Sequence, residues 1–368
     1  MEEKAEFDRI EELLESKMEY WSFSGLLQKV YNGTEPVQKR LSDKLSEYDG
    51  EKNRTAVERK VRNWLHDRNI PQKREELFKI CFALDLNEEK TNSVLGVTAE
   101  NGIHYRNPRE VIYAYCLRSG RDYPEAQRLE EKLWKKKYGD LPDRRNMTES
   151  KKEELPMTFS VRNDFKRVQT EKELEAFLEK RRESFGYFRN TAYRKFAKML
   201  SRLSVPGESW QYGMPREQDY SVDQIVNYYL RMGVPYDKKS EKYSRAAKQI
   251  KKKWPSPKSV REILSGRQDV DRKSLILLYL VTETISGEKT ESKDQVREHI
   301  NRMNLMMTES GMPVLNPHSP FDYLILQAVN VTDDNEYPEF RLERMLHRVF
   351  HKKTNVAYIA ETERRDPV

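Results

Sequence analysis

Apolar residues spaced three and four apart within highly charged stretches are the feature that most limits the folds open to this chain. Residues 54–77, RTAVERKVRNWLHDRNIPQKREEL, are typical, because their apolar positions fall on one face of a helix: Val57, Val61, Trp64 and Leu65. Asp, Glu, Lys and Arg make up 35% of the 368 residues, whereas 14 glycines and 16 prolines supply few turns. A β-sandwich needs closely spaced turns, so the pattern predicts an all-α protein.

The helical pattern is interrupted by one long stretch without sustained apolar periodicity. Residues 139–157, GDLPDRRNMTESKKEELPM, contain two prolines and many charges, which is typical of a linker. We therefore expect a helical domain over residues 1–138, a linker over 139–157 and a second helical domain over 158–368.

The two predicted domains contain similar sequences. VRNWLHDRNIPQKREELFKICFAL at 61–84 aligns with VREILSGRQDVDRKSLILLYLV at 260–281 once one residue is removed from the turn. The matched residues are Val61, Arg62, Leu65, Arg68, Arg74 and Leu77 with Val260, Arg261, Leu264, Arg267, Arg272 and Leu275.

Farther along the chain, residues 98–115 pair with 308–327, with a Gly, a Pro and an acidic residue in the same order. A spacing of about 200 residues is too long for a solenoid repeat. It predicts two copies of one multi-helix bundle, the second with an insertion near 285–296 and a C-terminal helical extension. Chance similarity between helical segments is the alternative.

Net charge and cysteine content restrict the compartment and the partners. The charge of +7 favours a polyanionic partner, but it is small beside 68 basic and 61 acidic residues, so the distribution of charge matters more than the total. Cys81 and Cys116 lie in apolar helical patterns, which indicates neither a disulfide framework nor a Cys-rich metal site. With no long apolar run and an acidic, amphipathic N-terminus, we expect a cytoplasmic protein without a membrane partner.

Cationic residues are concentrated on the outer face of the helix that begins at Arg54. The residues predicted to face solvent there are Arg54, Arg59, Lys60, Arg62 and Asn63. Arg can form a bidentate contact with guanine in the major groove, Asn can do so with adenine, and neighbouring Arg and Lys bind phosphates. The pattern therefore favours nucleic acid as the partner, with duplex DNA preferred over RNA.

A helix, a connection, an Arg-rich helix and then IPxxREELxxIxxAL at 70–84 resemble the central part of the lambda-repressor-like (XRE-type) helix-turn-helix domain. The resemblance implies tandem helix-turn-helix-like domains that bind DNA and regulate transcription. The chain departs from the family pattern in its connections. SEYDGEKN at 46–53 is longer than the tight turn of the family, and the second copy has WPSP at 254–257.

The second copy carries its positive charge mostly on the helix that precedes the matched segment, and Glu262 lies among its remaining cations. Phosphate neutralisation would supply most of the affinity, and the helix at 54–65 would read base edges. The predicted nucleic-acid-binding residues are Arg54, Arg59, Lys60, Arg62, Asn63, Arg68, Arg245, Lys248, Lys251, Lys252, Arg261 and Arg267.

Two other interpretations of the basic helix stay open. Arg-rich helices are often solvated faces whose cations pair with Glu four residues away, and Glu58 with Arg62 has that spacing. The chain could also be a protein-binding adaptor for an effector, with DNA binding lost. Charge reversal at Arg59 and Arg62 lowers DNA affinity if the chain binds nucleic acid, and affects only protein capture if the chain is an adaptor.

Sequence motifs for catalysis are scarce. No P-loop, Rossmann glycine pattern, nucleophile elbow or zinc-ligand spacing occurs, so we expect a non-enzymatic protein without cofactor or metal. Residues 340–353, FRLERMLHRVFHKK, pair Arg341 with His347 or Arg344 with His351, which is similar to the loose Arg-x4-6-His pattern of metal-independent HEPN-type ribonucleases. Leu342 stands where that pattern often has a polar residue, and a ribonuclease remains a third, remote interpretation.

Overall fold

The computed structural model consists of helices and connections, without a strand in the part of the chain that it describes. The described residues are 22–50, 54–71, 73–99, 102–139, 157–186, 189–204, 220–236, 243–283, 292–330 and 337–351. The all-α prediction is confirmed.

The first half of the chain supplies helices up to Lys180. They are α1 (Phe23–Val30), α2 (Val37–Tyr48), α3 (Arg54–Leu65), α4 (Arg74–Ala83), α5 (Glu88–Ala99), α6 (Pro108–Arg118), α7 (Tyr123–Glu130), α8 (Thr158–Lys166) and α9 (Glu171–Lys180). Helix α7 continues through a π-helical turn, Glu131–Lys135, into Lys136–Tyr138.

The second half begins with a helix that starts at Asn190. Its helices are α10 (Asn190–Arg202), α11 (Val222–Ile225), α12 (Arg245–Lys251), α13 (Pro257–Leu264), α14 (Arg272–Glu283), α15 (Ser292–Glu309), α16 (Pro320–Val329) and α17 (Pro338–Phe350). Helix α11 continues through a π-helical turn, Val226–Leu230.

Short capping sequences set several helix starts. The Asp122 carboxylate accepts a hydrogen bond from the backbone of Glu125, whose side chain accepts one from the Asp122 backbone in return. Thr170 and Glu173 form the same capping box at α9. Such reciprocal bonds satisfy two of the backbone N–H groups that a helix start leaves without an acceptor.

Apolar side chains are buried in two separate clusters, here called the first core and the second core. The first core takes side chains from Phe23 to Phe185, and the second takes side chains from Ala192 to Phe350. Two cores agree with the size of the chain, because a chain of this length exceeds what one hydrophobic core usually serves.

Helices α8 and α9 follow the predicted linker but pack into the first core. The ring centroids of Phe165 in α8 and Tyr105 are 5.8 Å apart, and those of Phe177 in α9 and Phe185 are 6.1 Å apart. Residues 140–156 are outside the described part, so the linker at 139–157 stays a prediction. Side-chain packing itself changes from the first core to the second between residues 185 and 192.

An arginine–carboxylate pair occurs at equivalent places in both cores, half-buried at Arg74 and buried at Arg272. Arg74 at the start of α4 donates from Nε and Nη2 to the two oxygens of Glu110, at 2.7 and 2.6 Å, and from Nη2 to the Gly102 carbonyl at 2.9 Å. Arg272 at the start of α14 donates to both oxygens of Asp322, at 2.6 and 2.8 Å. Its Nη2 also donates to the Val314 carbonyl at 3.1 Å.

The same correspondence extends to the neighbouring loops. Asn92 of α5 accepts from the Ile103 backbone at 2.9 Å, and Asn304 of α15 accepts from the Leu315 backbone at 2.8 Å. After α3 and α13 the chain turns through a left-handed residue, Asp67 with φ 52° and Gly266 with φ 70°. Similar local contacts thus recur in the two cores, both inside the aligned segments and just outside them.

Charged side chains also join the two cores. The carboxylate of Asp269, between α13 and α14, accepts from the backbone N of Arg189 at 3.0 Å and from its Nη1 at 2.6 Å. His104 Nε2 lies 3.5 Å from Asp269 Oδ2, while His104 Nδ1 accepts from the Arg106 backbone at 3.3 Å. Arg106 is fully buried and donates from Nε to the Ser184 carbonyl.

This junction shifts the protonation of its members. Burial opposes ionisation of Asp269, but Arg189 and His104 outweigh it and hold the pKa of this carboxyl well below its usual range. Burial, followed by the charge of Arg189, lowers the pKa of His104 below its ordinary value. A neutral imidazole with its proton on Nε2 fits both hydrogen-bond partners of His104.

Candidate nucleic-acid interface

Helix α3 presents its basic face directly away from the first core. Val57, Val61 and Trp64 are buried in that core, and Arg59 and Arg62 project from the opposite side of the helix as exposed residues. Spacings of three and four produce this separation, since each residue turns the helix by roughly 100°. Arg59 and Arg62 are therefore exposed on this helix, as the sequence predicts.

Two other cations of α3 are bound by carboxylates. Arg54 donates to Asp43 of α2 at 2.6 Å and to Glu58 at 3.2 Å. Lys60 forms an ion pair with Glu76 of α4 and lies 5.2 Å from the centroid of the Trp64 ring. Their charge is therefore partly neutralised before any ligand arrives.

The arginines of the outer face lack such partners within the described ranges. Neither Arg59 nor Arg62 lies within ion-pair distance of a described carboxylate, and Glu58 is bound to Arg54 instead. Arg68, just after the helix, is also exposed, whereas Asn63 is half-buried and accepts from the Arg68 backbone through its own carbonyl. Two exposed guanidinium groups, three residues apart and on one face of the helix, can bind phosphate oxygens or base edges.

Helix α13 of the second core repeats this arrangement with fewer free charges. Lys258 and Arg261 stand at the positions equivalent to Arg59 and Arg62 and are exposed, while Val260 and Ile263 are buried. Arg261 forms an ion pair with Asp223 of α11, and Lys258 Nζ lies 4.0 Å from Glu262.

The basic helix α12 is divided between surface and interior. Lys248 is exposed, and Lys251 is half-buried with its ammonium 4.9 Å from the centroid of the Tyr243 ring. Lys252 is half-buried and Arg267, after α13, is exposed. The side chain of Arg245 lies outside the described part of the chain.

A lysine that sequence reasoning missed stabilises the end of α12. Lys273 is buried, and its ammonium donates to the carbonyls of Gln249 and Ile250, both at 2.9 Å, and to that of Lys252. A cation at a helix C-terminus satisfies carbonyls that have no partner within the helix. No local signal separates this lysine from a surface one, because its acceptors lie more than twenty residues away.

The C-terminal Arg and His residues make contacts within the second core. Arg341 is buried and donates from Nε to the Gln327 carbonyl at 3.1 Å. The rings of His347 and His351 lie 4.7 Å apart, and His351 Nε2 lies 2.8 Å from the Gly233 carbonyl. These contacts fit a structural role for Arg341 and His351.

Among the described residues, no group of three or more His, Cys, Asp or Glu side chains is placed to hold a metal ion. None of the described helices is at once long enough and apolar enough to span a bilayer.

Comparison of the chain with known protein families, with curated proteins and with solved structures finds no match. The resemblance to XRE-type domains therefore rests on the residues of this chain and stays a prediction.

Proposed function

We propose that this chain is a non-enzymatic nucleic-acid-binding protein whose principal contact surface is the outer face of α3. The observation that carries the proposal is the exposure of Arg59 and Arg62 without ion-pair partners among the described residues. Exposed, unneutralised arginines on a helix face are suited to phosphate binding and to bidentate base contacts. Duplex DNA is the proposed ligand, and regulation of transcription is the role that the XRE-type resemblance implies.

We also infer that the chain contains two copies of one helical unit. The matched arginine–carboxylate pairs, Arg74 with Glu110 and Arg272 with Asp322, support this inference. The second copy offers a weaker surface, because Asp223 already binds Arg261. On this proposal α3 makes the strongest contact, and Lys248 and Arg267 add phosphate contacts.

The test is binding of the purified full chain to random-sequence duplex DNA and duplex RNA over a salt series. Phosphate contacts release counterions, so affinity for DNA should fall steeply as salt rises. In Arg59→Glu/Arg62→Glu, affinity at low salt should fall by about tenfold or more, and the slope of log affinity against log salt should be shallower by about 1 to 2 units.

The matched control is Lys172→Glu/Lys198→Glu, which changes the net charge equally at two exposed lysines on α9 and α10. This variant should retain most of the affinity. Equal losses in both variants would mean that binding follows net charge alone, and absence of binding by the unmodified chain at low salt would contradict the proposal.

A protein-binding adaptor is the second candidate function. Tyr337 and Phe340 at the start of α17 are 48% and 57% exposed, and their rings lie 6.1 Å apart. Adjacent exposed aromatic side chains are typical of contacts with other proteins. The adaptor predicts that Phe340→Ser reduces capture of a protein partner, whereas DNA binding is absent or unchanged.

A further inference from the structure

A groove of about 900 Å³ lies between the first and second cores, and its lining contains no residue of α3. One wall is built from α5 and α8, and the other comes from the end of α12 and the loop before α16. This volume lies near the upper end of the range for small-molecule sites in proteins.

Comparison of the two copies explains how the groove arises. His104 of the first copy meets Asp269 of the second and closes one side of the junction. The equivalent positions, Asn316 in the second copy and Ile70 in the first, both line the groove. Asn and Ile cannot form the imidazole–carboxylate contact that closes the other side, so the junction stays open here.

Cations from both cores line this groove. Arg162 and Lys166 come from α8, and Lys252 comes from the end of α12. The guanidinium of Arg162 lies 5.5 Å from the centroid of the Tyr105 ring, and its buried Nε has no hydrogen-bond acceptor among the described residues.

Most acidic groups of the lining are already neutralised. Glu88 Oε1 accepts a hydrogen bond from the Tyr105 hydroxyl at 2.8 Å, and Glu88 Oε2 lies 3.4 Å from Arg118 Nη1. The Asp322 carboxylate is bound by Arg272. Glu89, which is exposed, is the remaining carboxylate of the lining in the described ranges. Positive charge is therefore in excess.

Part of the wall is apolar and accessible. Val314 is 47% exposed and lines the groove together with Ile70 and Pro317. A ligand with a flat apolar part and an anionic part would use both kinds of surface, since apolar walls bury area and a few charged groups fix orientation.

We propose that this groove binds a small organic phosphate of nucleotide size. Arg162, Lys166 and Lys252 bind its phosphate groups, and the wall of Ile70, Val314 and Pro317 contacts its base. Because these residues come from both cores, the bound ligand contacts the two copies at once. The site is separate from the α3 surface and does not depend on nucleic-acid binding there.

Isothermal titration calorimetry of the 368-residue chain, with ATP, GTP and adenosine as probes, tests the proposal. Saturable binding of at least one nucleotide is expected, with adenosine weaker by about tenfold or more because it lacks the phosphates. Failure of both nucleotides to bind, or adenosine binding as tightly as ATP, would overturn the proposal.

Lys166→Glu tests the location of the site. Lys166 is exposed, so the variant should fold, and it should weaken nucleotide binding by about tenfold. Arg167→Glu is the matched control, since the neighbouring Arg167 is exposed and does not line the groove. Equal effects of the two changes would place the nucleotide elsewhere.

The α3 variant separates the two proposals. Arg59→Glu/Arg62→Glu should leave nucleotide affinity unchanged even if it abolishes DNA binding. If Lys166→Glu instead lowers DNA affinity while ATP does not bind the unmodified chain, the groove belongs to a nucleic-acid path and the nucleotide site is refuted.

Discussion

At the scale of single residues, two arginine–carboxylate pairs each tie the start of a core helix to a distant loop, and the pair of Arg272 is the buried one. The side chains of Arg272 and Asp322 are 8% and 3% exposed, and Arg272 also binds the carbonyls of Pro313 and Val314. Burial removes both charges from water, and each charge offsets the desolvation of the other only while both partners remain. Each pair therefore fixes the loop that leads into the next helix.

Removing one partner of the buried Arg272–Asp322 pair should destabilise the protein. Asp322→Ala leaves the Arg272 guanidinium buried without its carboxylate, so the free energy of unfolding should fall by about 3–5 kcal/mol. Urea unfolding followed by circular dichroism measures this free energy in the variant and in the unmodified chain. Glu35→Ala, which breaks the exposed Glu35–Lys39 pair, should cost less than about 1 kcal/mol. Similar losses in both variants would contradict this account of the buried pair.

At the scale of helices, α8 and α9 complete the first core although they follow the predicted linker. Val161 and Phe165 of α8 and Leu174 of α9 are fully buried there. The spacing of their apolar residues predicts two helices, but it does not predict which elements these helices pack against. Phe165 and its neighbours pack on Tyr105 and on the arginine Arg118, whose guanidinium lies 4.6 Å from the Phe165 ring centroid.

Truncation tests this packing. A fragment of residues 1–186 keeps α8 and α9 and should unfold cooperatively with native-like helicity. A fragment of residues 1–157 loses their buried side chains and should be less helical and unfold at lower urea, because exposed core surface is unfavourable. Equal stability of the two fragments would mean that α8 and α9 contribute little to the first core.

At the scale of the whole molecule, the junction of His104, Asp269 and Arg189 holds the two cores together. Asp269 is the central acceptor, and burial together with Arg189 keeps His104 neutral. A charged junction of this kind fixes orientation, because its hydrogen bonds are satisfied in one geometry.

The junction predicts how stability depends on pH. A histidine whose pKa is lowered on folding contributes stability above its unfolded-state pKa of 6.5, and this is lost as pH falls below that value. Asp269, whose pKa is also lowered, contributes stability above 3.8 that is lost at still lower pH. The free energy of unfolding should therefore fall from pH 7 to pH 5 and fall further below pH 4.

His104→Gln tests the upper part of this profile. It should flatten the decline between pH 7 and pH 5, measured by urea unfolding. His299 also has a pKa lowered by burial, so His299→Gln, distant from the junction in sequence, shows how much of the decline arises elsewhere. An unchanged profile in His104→Gln would contradict the role of His104.

The sequence by itself determined the helices, because a helix buries one face through the spacing of three and four residues along the chain. It also paired Arg74 with Arg272, which both bind a carboxylate at the start of a helix, and placed Arg59 and Arg62 opposite Val57 and Val61. These are local properties. The caps at Asp122 and Thr170 are local for the same reason.

Only the tertiary structure decided which cations are neutralised and which elements meet. Glu58 has the spacing to pair with Arg62 but binds Arg54, and Arg261 is bound by Asp223 from another helix. The groove between the cores likewise depends on which side of the junction the contact between His104 and Asp269 closes. Ion pairs between distant residues follow from packing, and sequence spacing does not encode them.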